Sequence, residues 1–557
     1  MTQTSTDVLI VGAGPCGLLL ALELGRRGIH ALVVDRESTV ATAPQANATQ
    51  ARSMEHYRRL GFADEIRAQG MPGDHPTDVA YFTTYAGYEL GRHRMPCADE
   101  ASARVREIQH VWNGAELPHR IAQSLVEQTL LRHARALASV QLRFDTELTG
   151  LCQDRDGVEA TVVALPDGRA ETVRARYLFA ADGSQSTVRR LLGIALAGDD
   201  PRSRDFMGGR MLSIYVDAPA FYELGIERAW MYWTFNRRRR ALLATVDGRG
   251  AFALHTQLRP TEVVESLTER DARALFLQAV GREIPFEITG MAAWLAGRAL
   301  VADRFAQGRV YLGGDAAHLF TPTGGMGYNT AIEDAANIGW KLAAVLKGQA
   351  DPALLDSYEI ERRPIAIRNT RFALAFADSV GLYVPSPAIE QDGPAGAAAR
   401  ARAGAYLRRH AEREFTIAGF TFGARIDGSP VIVADDAPIP PDSPNDFVPT
   451  GKPGGRAPHV WLADGRSLFD AFGFEWTLLW FGGGREVAGR FEAEAMARGL
   501  GLTLLDLRDE PVACDLYEAD LALIRPDQIV AWRGGNPGPA EVADVLDVVT
   551  ALRRPGA

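Results

Sequence analysis

Residues 8–37, VLIVGAGPCGLLLALELGRRGIHALVVDRE, decide the fold. Val8 to Val11 is an apolar run of strand length. Gly12, Gly14 and Gly17 then give the spacing GxGxxG with Pro15 inside it, and Leu18 to Leu24 continues in a helical pattern. A second apolar run, Ala31 to Val34, ends on Asp35. Each position answers a physical requirement. Gly12 permits the tight turn, Gly14 lets the backbone approach a pyrophosphate, and Gly17 lets helix and strand pack closely. The phosphates of a dinucleotide then meet the positive end of the helix. Asp35, with Arg36 beside it, stands about 20 residues past the glycines, where an acid accepts hydrogen bonds from an adenosine ribose. Strand, turn, helix and terminal acid in register predict a dinucleotide-binding βαβ unit.

Working outward, 557 residues exceed a single core and predict several domains. Apolar residues at 46% and charged residues at 23% describe a globular chain and exclude disordered and fibrous classes. A net charge of -10, with no basic tail, argues against nucleic acid or an anionic membrane as partner. The one basic cluster, Arg237 to Arg240, reads as a solvated hairpin turn. Cys16, Cys97, Cys152 and Cys514 show neither CxxC nor metal-ligand spacing, which predicts a reducing, cytoplasmic setting and no metal site. No apolar run reaches the roughly 18 to 20 residues a membrane span needs.

Further along, Arg52 to Leu60 reads as a helix ended by Gly61, and Leu117 to Leu137 as one long helix. Strand patterns around Leu142, Val158 to Ala164 and Thr172 to Phe179 precede a break at Asp182-Gly183. From about Met211 to Thr289 the pattern is mostly β and predicts an inserted sheet domain. The stretch RVYLGGDAAHLFTPTGGMGYNTAIEDAANIGWKLAAVL, starting at Arg309, then gives a strand, a glycine-rich loop and a long helix. In that loop Pro322, Gly325, Met326, Gly327 and Asn329 would lie against a flat ring at a helix N-terminus. His318 reads as a structural histidine. These boundaries predict an α/β protein. A discontinuous Rossmann-like unit takes 1–80, 110–190 and 300–350, and a sheet domain takes 81–109 and 191–299. Helices follow over 351–437, a Pro/Gly-rich linker over 438–455, and a small α/β domain over 456–557.

Three ordered segments carry a family likeness: Gly12 to Gly17 with Asp35, YLFAADGSQSTVRR with Asp182-Gly183, and YLGGDAAH with Gly314-Asp315. Together they resemble the class A flavin monooxygenases of the para-hydroxybenzoate hydroxylase fold, over nearly the whole chain. The C-terminal part resembles the thioredoxin-like extension of the phenol hydroxylase and 2-hydroxybiphenyl 3-monooxygenase branch. Arg456 to Val460, Asp470 and Leu523 to Asp527 carry that likeness, without a CxxC. The resemblance implies tightly held, non-covalent FAD with Asp315 on a ribose or ribityl hydroxyl and Asp182-Gly183 near the pyrophosphate. It also implies Gln123 on the flavin and Arg52 lining the cofactor channel. NAD(P)H would bind transiently, since only one complete fingerprint is present. For the C-terminal domain it implies a structural role or an oligomer interface, with a homodimer left open.

The implied reaction is hydroxylation of a small phenolic or polycyclic aromatic substrate with O₂ through a flavin C4a-hydroperoxide, in an enclosed, apolar site. Met231, Tyr232 and Trp233, with Pro322, are the substrate-pocket candidates. Two departures from the family stand out. Pro44-Gln45 stands where the branch commonly reads Pro-Arg, which leaves Gln45 without a guanidinium for the FAD phosphates. Asn47 stands where the biphenyl-hydroxylating relatives place a histidine, and an amide is no base at neutral pH. Tyr232 or His255 could relay the proton instead, or the substrate could arrive as an anion. Baeyer–Villiger insertion or epoxidation of an aromatic polyketide is the alternative chemistry, and a flavin-binding sensor or assembly protein the alternative class.

Overall fold

The computed structural model describes residues 3–41, 46–199, 208–263, 266–296 and 298–552. Its central sheet is mainly parallel. Gln3–Val11 pairs with Ala31–Val34 on one side and Arg169–Ala180 on the other, and Val140–Arg143 and Val310–Leu312 extend the two flanks. An antiparallel pair, Thr146–Gln153 and Val158–Ala164, folds out from Arg169–Ala180. Continuous apolar runs such as Val8 to Val11 become strands here because both faces are covered, so the apolar residues need not alternate. Val8, Leu9 and Ile10 have no exposed surface. The helix Pro15–Gly25 starts on Pro15, whose missing N–H is harmless at the first helical position, and it packs against the long helix Met326–Leu346.

The register of this sheet is what matters for function. Val11 lies opposite Val34 and Ala180, and Ala180 lies opposite Leu312. Four chain segments therefore leave the sheet at one edge: Gly12, Asp35, Ala181-Asp182 and Gly313-Gly314-Asp315. Ligands of open parallel sheets bind at that carboxyl edge.

A second sheet runs in the order Glu287–Leu295, Arg210–Asp217, Ala251–Gln257, Ala241–Thr245, Met231–Thr234, Val79–Phe82, Glu89–His93. It starts two residues before the expected boundary at 81, because Val79 pairs with Met231. One face packs on the helix Glu269–Val280, the other on the helix Gly393–Phe415. The turn at Arg237 to Arg240 is a hairpin, as read from the sequence, though Arg240 reaches the carbonyls of Val380 and Gly381. The expected helix Leu117 to Leu137 is shorter. It begins at Gln123, since Pro118 disfavours helix in the residue before it and residues 46–49 pair with the chain ahead of the helix (Thr49 with His119).

The C-terminal unit orders its strands Leu502–Asp506, Trp476–Trp480, Leu521–Ile524, Val530–Gly534, with only the first pair parallel. This βαβ–α–ββα arrangement has the thioredoxin-like connectivity expected from the resemblance. It is no loose appendage. Arg525 is fully buried and paired with Glu361 of the helix Ser357–Gly381, while Glu361 also takes Lys341. Arg456 pairs with buried Glu55 in the same way. The Pro/Gly stretch before it contains no helix or strand, and Gly454 and Gly455 bind Val530 through the backbone. No helix of the described residues is long and apolar enough to cross a membrane, and among them no His, Cys, Asp or Glu cluster could hold a metal.

Candidate active site

At the carboxyl edge the glycines behave as their spacing demands. Gly12 has φ +107°, and a Cβ there would stand 2.2 Å from the Ala181 carbonyl oxygen. A Cβ on Gly17 would stand 2.0 Å from the Gly12 oxygen, whereas nothing lies within 4 Å of one on Gly14 or Gly183. Two glycines are thus required by packing, and two leave open backbone for a ligand. Asp35 accepts the Ala13 N–H at 2.6 Å and the Glu37 N–H at 2.9 Å, so it braces the glycine turn. Arg36 is exposed and pairs with Glu37.

Asp182 follows Arg169–Ala180. Its Oδ2 accepts the Val188 N–H at 3.1 Å, but its Oδ1 is buried with no hydrogen-bond partner. Burial raises its carboxyl above the ordinary range, against hydrogen bonds from Ser186, Val188 and Thr187. Asp315 stands on the turn Gly314–Ala316, open to the cleft yet set among crowded chain that raises its pKa, with His318 opposing. Behind it, Asp334 accepts from Gly314 N–H, His318 Nε2 and Arg362 Nε, all without access to water. His318 is therefore a structural residue that holds the Gly314-Asp315 turn.

The glycine loop turns through Gly324 and Gly325 at φ +64° and +65° and ends on the N-terminus of Met326–Leu346. No side chain caps this helix and no acid stands in its first turn, so its free N–H groups face the loop. Pro322 is exposed, and a Cβ on Gly327 would meet Phe320 at ordinary distance. Two other loop candidates point elsewhere. Met326 packs into a cluster with Phe376, Ile417 and Phe420, and the Asn329 side chain accepts the Gln50 N–H at 2.8 Å and donates to the Ala48 carbonyl at 2.8 Å. Gln50 in turn donates to the Gly324 carbonyl. Both residues shape the loop from behind.

An orphaned buried acceptor, two open glycines, two uncapped helix starts and an exposed acid on one edge fit a flavin dinucleotide. Gln123, the first residue of its helix, donates to Glu127 at 2.7 Å, and its N–H reaches the Ala46 carbonyl. Arg52 is a correction. Its guanidinium is buried against Glu55, Gln528 and the Asp527 carbonyl, so it anchors the C-terminal unit and lines no channel. Gln45 lies outside the described residues.

Beside the glycine loop a small pocket is lined by Asn47, Met71, Arg120, Ile121, Ala122, Trp230, Ala244, Thr245, Val246, Ala253 and His255. Burial lowers the His255 pKa to about 4, so its imidazole is neutral. Its Nδ1 lies 2.8 Å from Ser213 Oγ, which also receives Trp294 Nε1–H at 2.8 Å. An indole N–H can only donate, so Ser213 Oγ accepts from Trp294, and the same oxygen fixes the imidazole ring of His255 through Nδ1. An imidazole that stays neutral down to about pH 4 is a weak base, which corrects the proton-acceptor role expected for His255. Tyr232 is the third correction. It has no exposed surface, sits in the opposite-face cluster with Phe221 and Phe252, and accepts the Ala229 N–H at 2.7 Å. Met231 and Trp233 are buried in the cluster below the pocket, and Trp230 takes the pocket position instead.

Two family profiles match the sequence: the FAD binding domain over residues 5–373 and the aromatic-ring hydroxylase C-terminal domain over residues 450–553. The chain belongs to the class A flavin-dependent aromatic monooxygenases. It is 31% identical to aklavinone 12-hydroxylase RdmE of Streptomyces purpurascens, covering 100% of this chain and 99% of that protein. It is 30% identical to 2,4-dichlorophenol 6-monooxygenase of Cupriavidus pinatubonensis, covering 99% and 96%. Among solved structures, the rebeccamycin biosynthetic enzyme RebC with reduced flavin superposes with a TM-score of 0.86 at 34% identity, covering 99% and 100%. The monooxygenase is accordingly an FAD-dependent enzyme of α/β fold. Sequence reasoning missed Asp334, Ser213, Trp294, Trp230 and Arg120. The local signal was the charge of Arg120, next to His119 in the short stretch LPHRIA before Gln123.

Proposed function

We propose that this monooxygenase inserts one atom of O₂ into a phenolic or polycyclic aromatic substrate, with NAD(P)H as reductant. The observation that carries the reading is a shared wall. Asn47 lines the pocket, while its neighbours Ala48 and Gln50 hold the glycine loop at the start of Met326–Leu346. A ring in the pocket is then one chain's width from that loop.

FAD, when bound, supplies electron transfer and oxygen activation. The chain holds it through Gly12, Gly14, Asp182, Asp315 and the two helix N-termini. Met71, Ile121, Ala122, Trp230 and Ala253 keep the pocket apolar, which excludes water from the reacting ring. The Asn47 amide offers a donor and an acceptor to position a substrate oxygen. The same reading places the enzyme in a reducing cytoplasm, in keeping with four free thiols.

The test is a screen of phenols, naphthols and aromatic polyketides with FAD-loaded protein under NADH or NADPH. The expected result is accelerated nicotinamide oxidation and a product one oxygen heavier. Oxidation that stays slow with every ring, flavin being bound, would move the chain to the sensor or assembly class.

A further inference from the structure

Arg120 stands in the pocket wall with 4% of its surface exposed. Its Nη1 is buried with no hydrogen-bond partner, and its Nη2 reaches only the Met95 sulfur at 3.5 Å. The guanidinium lies 4.4 Å from the Trp230 ring and 5.6 Å from the Phe415 ring. Glu414 is the acid that attracts it, yet the two form no ion pair: that carboxylate accepts the Gly324 N–H through Oε1 and lies against His410 through Oε2. Burying a cation with only aromatic faces around it is costly unless an anion joins it. Asn47 and the neutral His255 line the same pocket, and neither takes up a proton there at neutral pH.

We infer that the pocket receives its aromatic substrate as an anion, with the ionised oxygen held by the Arg120 guanidinium. This rests on the proposed function and names the substrate class within it: a ring bearing a phenolate or a carboxylate. It also answers the absence of a base at position 47. A phenol beside a desolvated guanidinium ionises because the anion is stabilised, and the proton leaves to water on entry. The other titratable groups around Arg120 are Glu414, His93, His119 and His255. Burial depresses all three imidazoles, so they add no positive charge at neutral pH.

The experiment uses FAD-loaded enzyme and three probes: 2-naphthoate, 2-naphthol and uncharged 2-methylnaphthalene, with affinity read from the flavin difference spectrum. Wild type is expected to bind 2-naphthoate or 2-naphthol about tenfold or more tighter than 2-methylnaphthalene, the scale of one charged hydrogen bond. If the natural oxygen is a phenolate, bound 2-naphthol shows the naphthoxide absorption band at pH 7; if it is a carboxylate, only 2-naphthoate gains. Arg120→Met should fold at least as well, since it removes an unpaired buried charge, and should lose the preference; Arg120→Lys should keep part of it. Equal affinities in wild type, failure of all three probes to bind, or an unchanged preference in Arg120→Met would overturn the assignment. An intact anion preference without any stimulated nicotinamide oxidation would sink the proposed function instead.

Discussion

Asp315 and Asp182 leave adjacent strands at the same sheet edge, but their carboxylates are differently employed. Asp182 already caps a short helix through Oδ2, while Asp315 makes no protein hydrogen bond among the described residues and is open to the cleft. Asp315→Ala is therefore expected to weaken FAD by about tenfold or more, with the fold unaffected, which equilibrium dialysis and circular dichroism will check. Full flavin occupancy in that variant would remove Asp315 from the cofactor site. At this scale the glycines of the fingerprint were legible because their demands are local: a positive φ, a close carbonyl, an open approach. Asn329 was not, because its partners Gln50 and Ala48 come from a segment almost 280 residues away. Arg120 was opaque for the same reason, since its isolation depends on which acids fail to reach it.

Individual elements show where periodicity misleads. In Met231–Thr234 the aromatic run was read as pocket wall, and the strand alternation was correct as far as it went: Tyr232 faces one side, Met231 and Trp233 the other. The displacement comes from an irregularity at its start. Trp230 and Met231 both give their N–H to the Asp78 carbonyl, two residues against one, which puts both side chains toward the same cluster and brings Trp230 to the pocket. Two substitutions separate the faces. Tyr232→Phe should leave kcat/KM within about twofold while costing about 1–2 kcal/mol of stability, because it strands the buried Ala229 N–H. Trp230→Ala should lower kcat/KM at least about tenfold, since it opens the pocket and unstacks Arg120. Steady-state kinetics with a substrate found in the phenol screen, alongside thermal melts, give the comparison. Equal kinetic losses in the two variants would place Tyr232 in the pocket after all.

For the whole molecule, buried charge couples the units and sets the response to acid. His119 and His459 are buried and neutral, with pKa values lowered to about 3, first by desolvation and then by neighbouring arginines. In the unfolded chain a histidine titrates near 6.5, so below that pH the unfolded state binds more protons and stability falls on acidification. The loss begins near pH 6.5 and continues toward pH 3. Near pH 5 these two groups add about two protons to unfolding, or roughly 2.7 kcal/mol per pH unit. His459→Gln should halve that contribution in pH-dependent calorimetry; an unchanged slope would show that His459 titrates normally in the fold. Glu55 and Asp334, held below the usual carboxylate range by arginines and histidine against desolvation, push the same way at lower pH.

The sequence by itself determined the βαβ unit, the order of the three cofactor segments and the α/β class. Those properties live in backbone geometry and in patterns that repeat within a few residues. Only the tertiary structure decided that Gly12, Asp182 and Asp315 share one edge, that Arg52 serves a domain contact, and that Arg120 is left without an ion pair among the described residues. Register between strands and the closing of one unit on another bring together residues hundreds of positions apart, and a charge's meaning depends on which neighbours arrive with it.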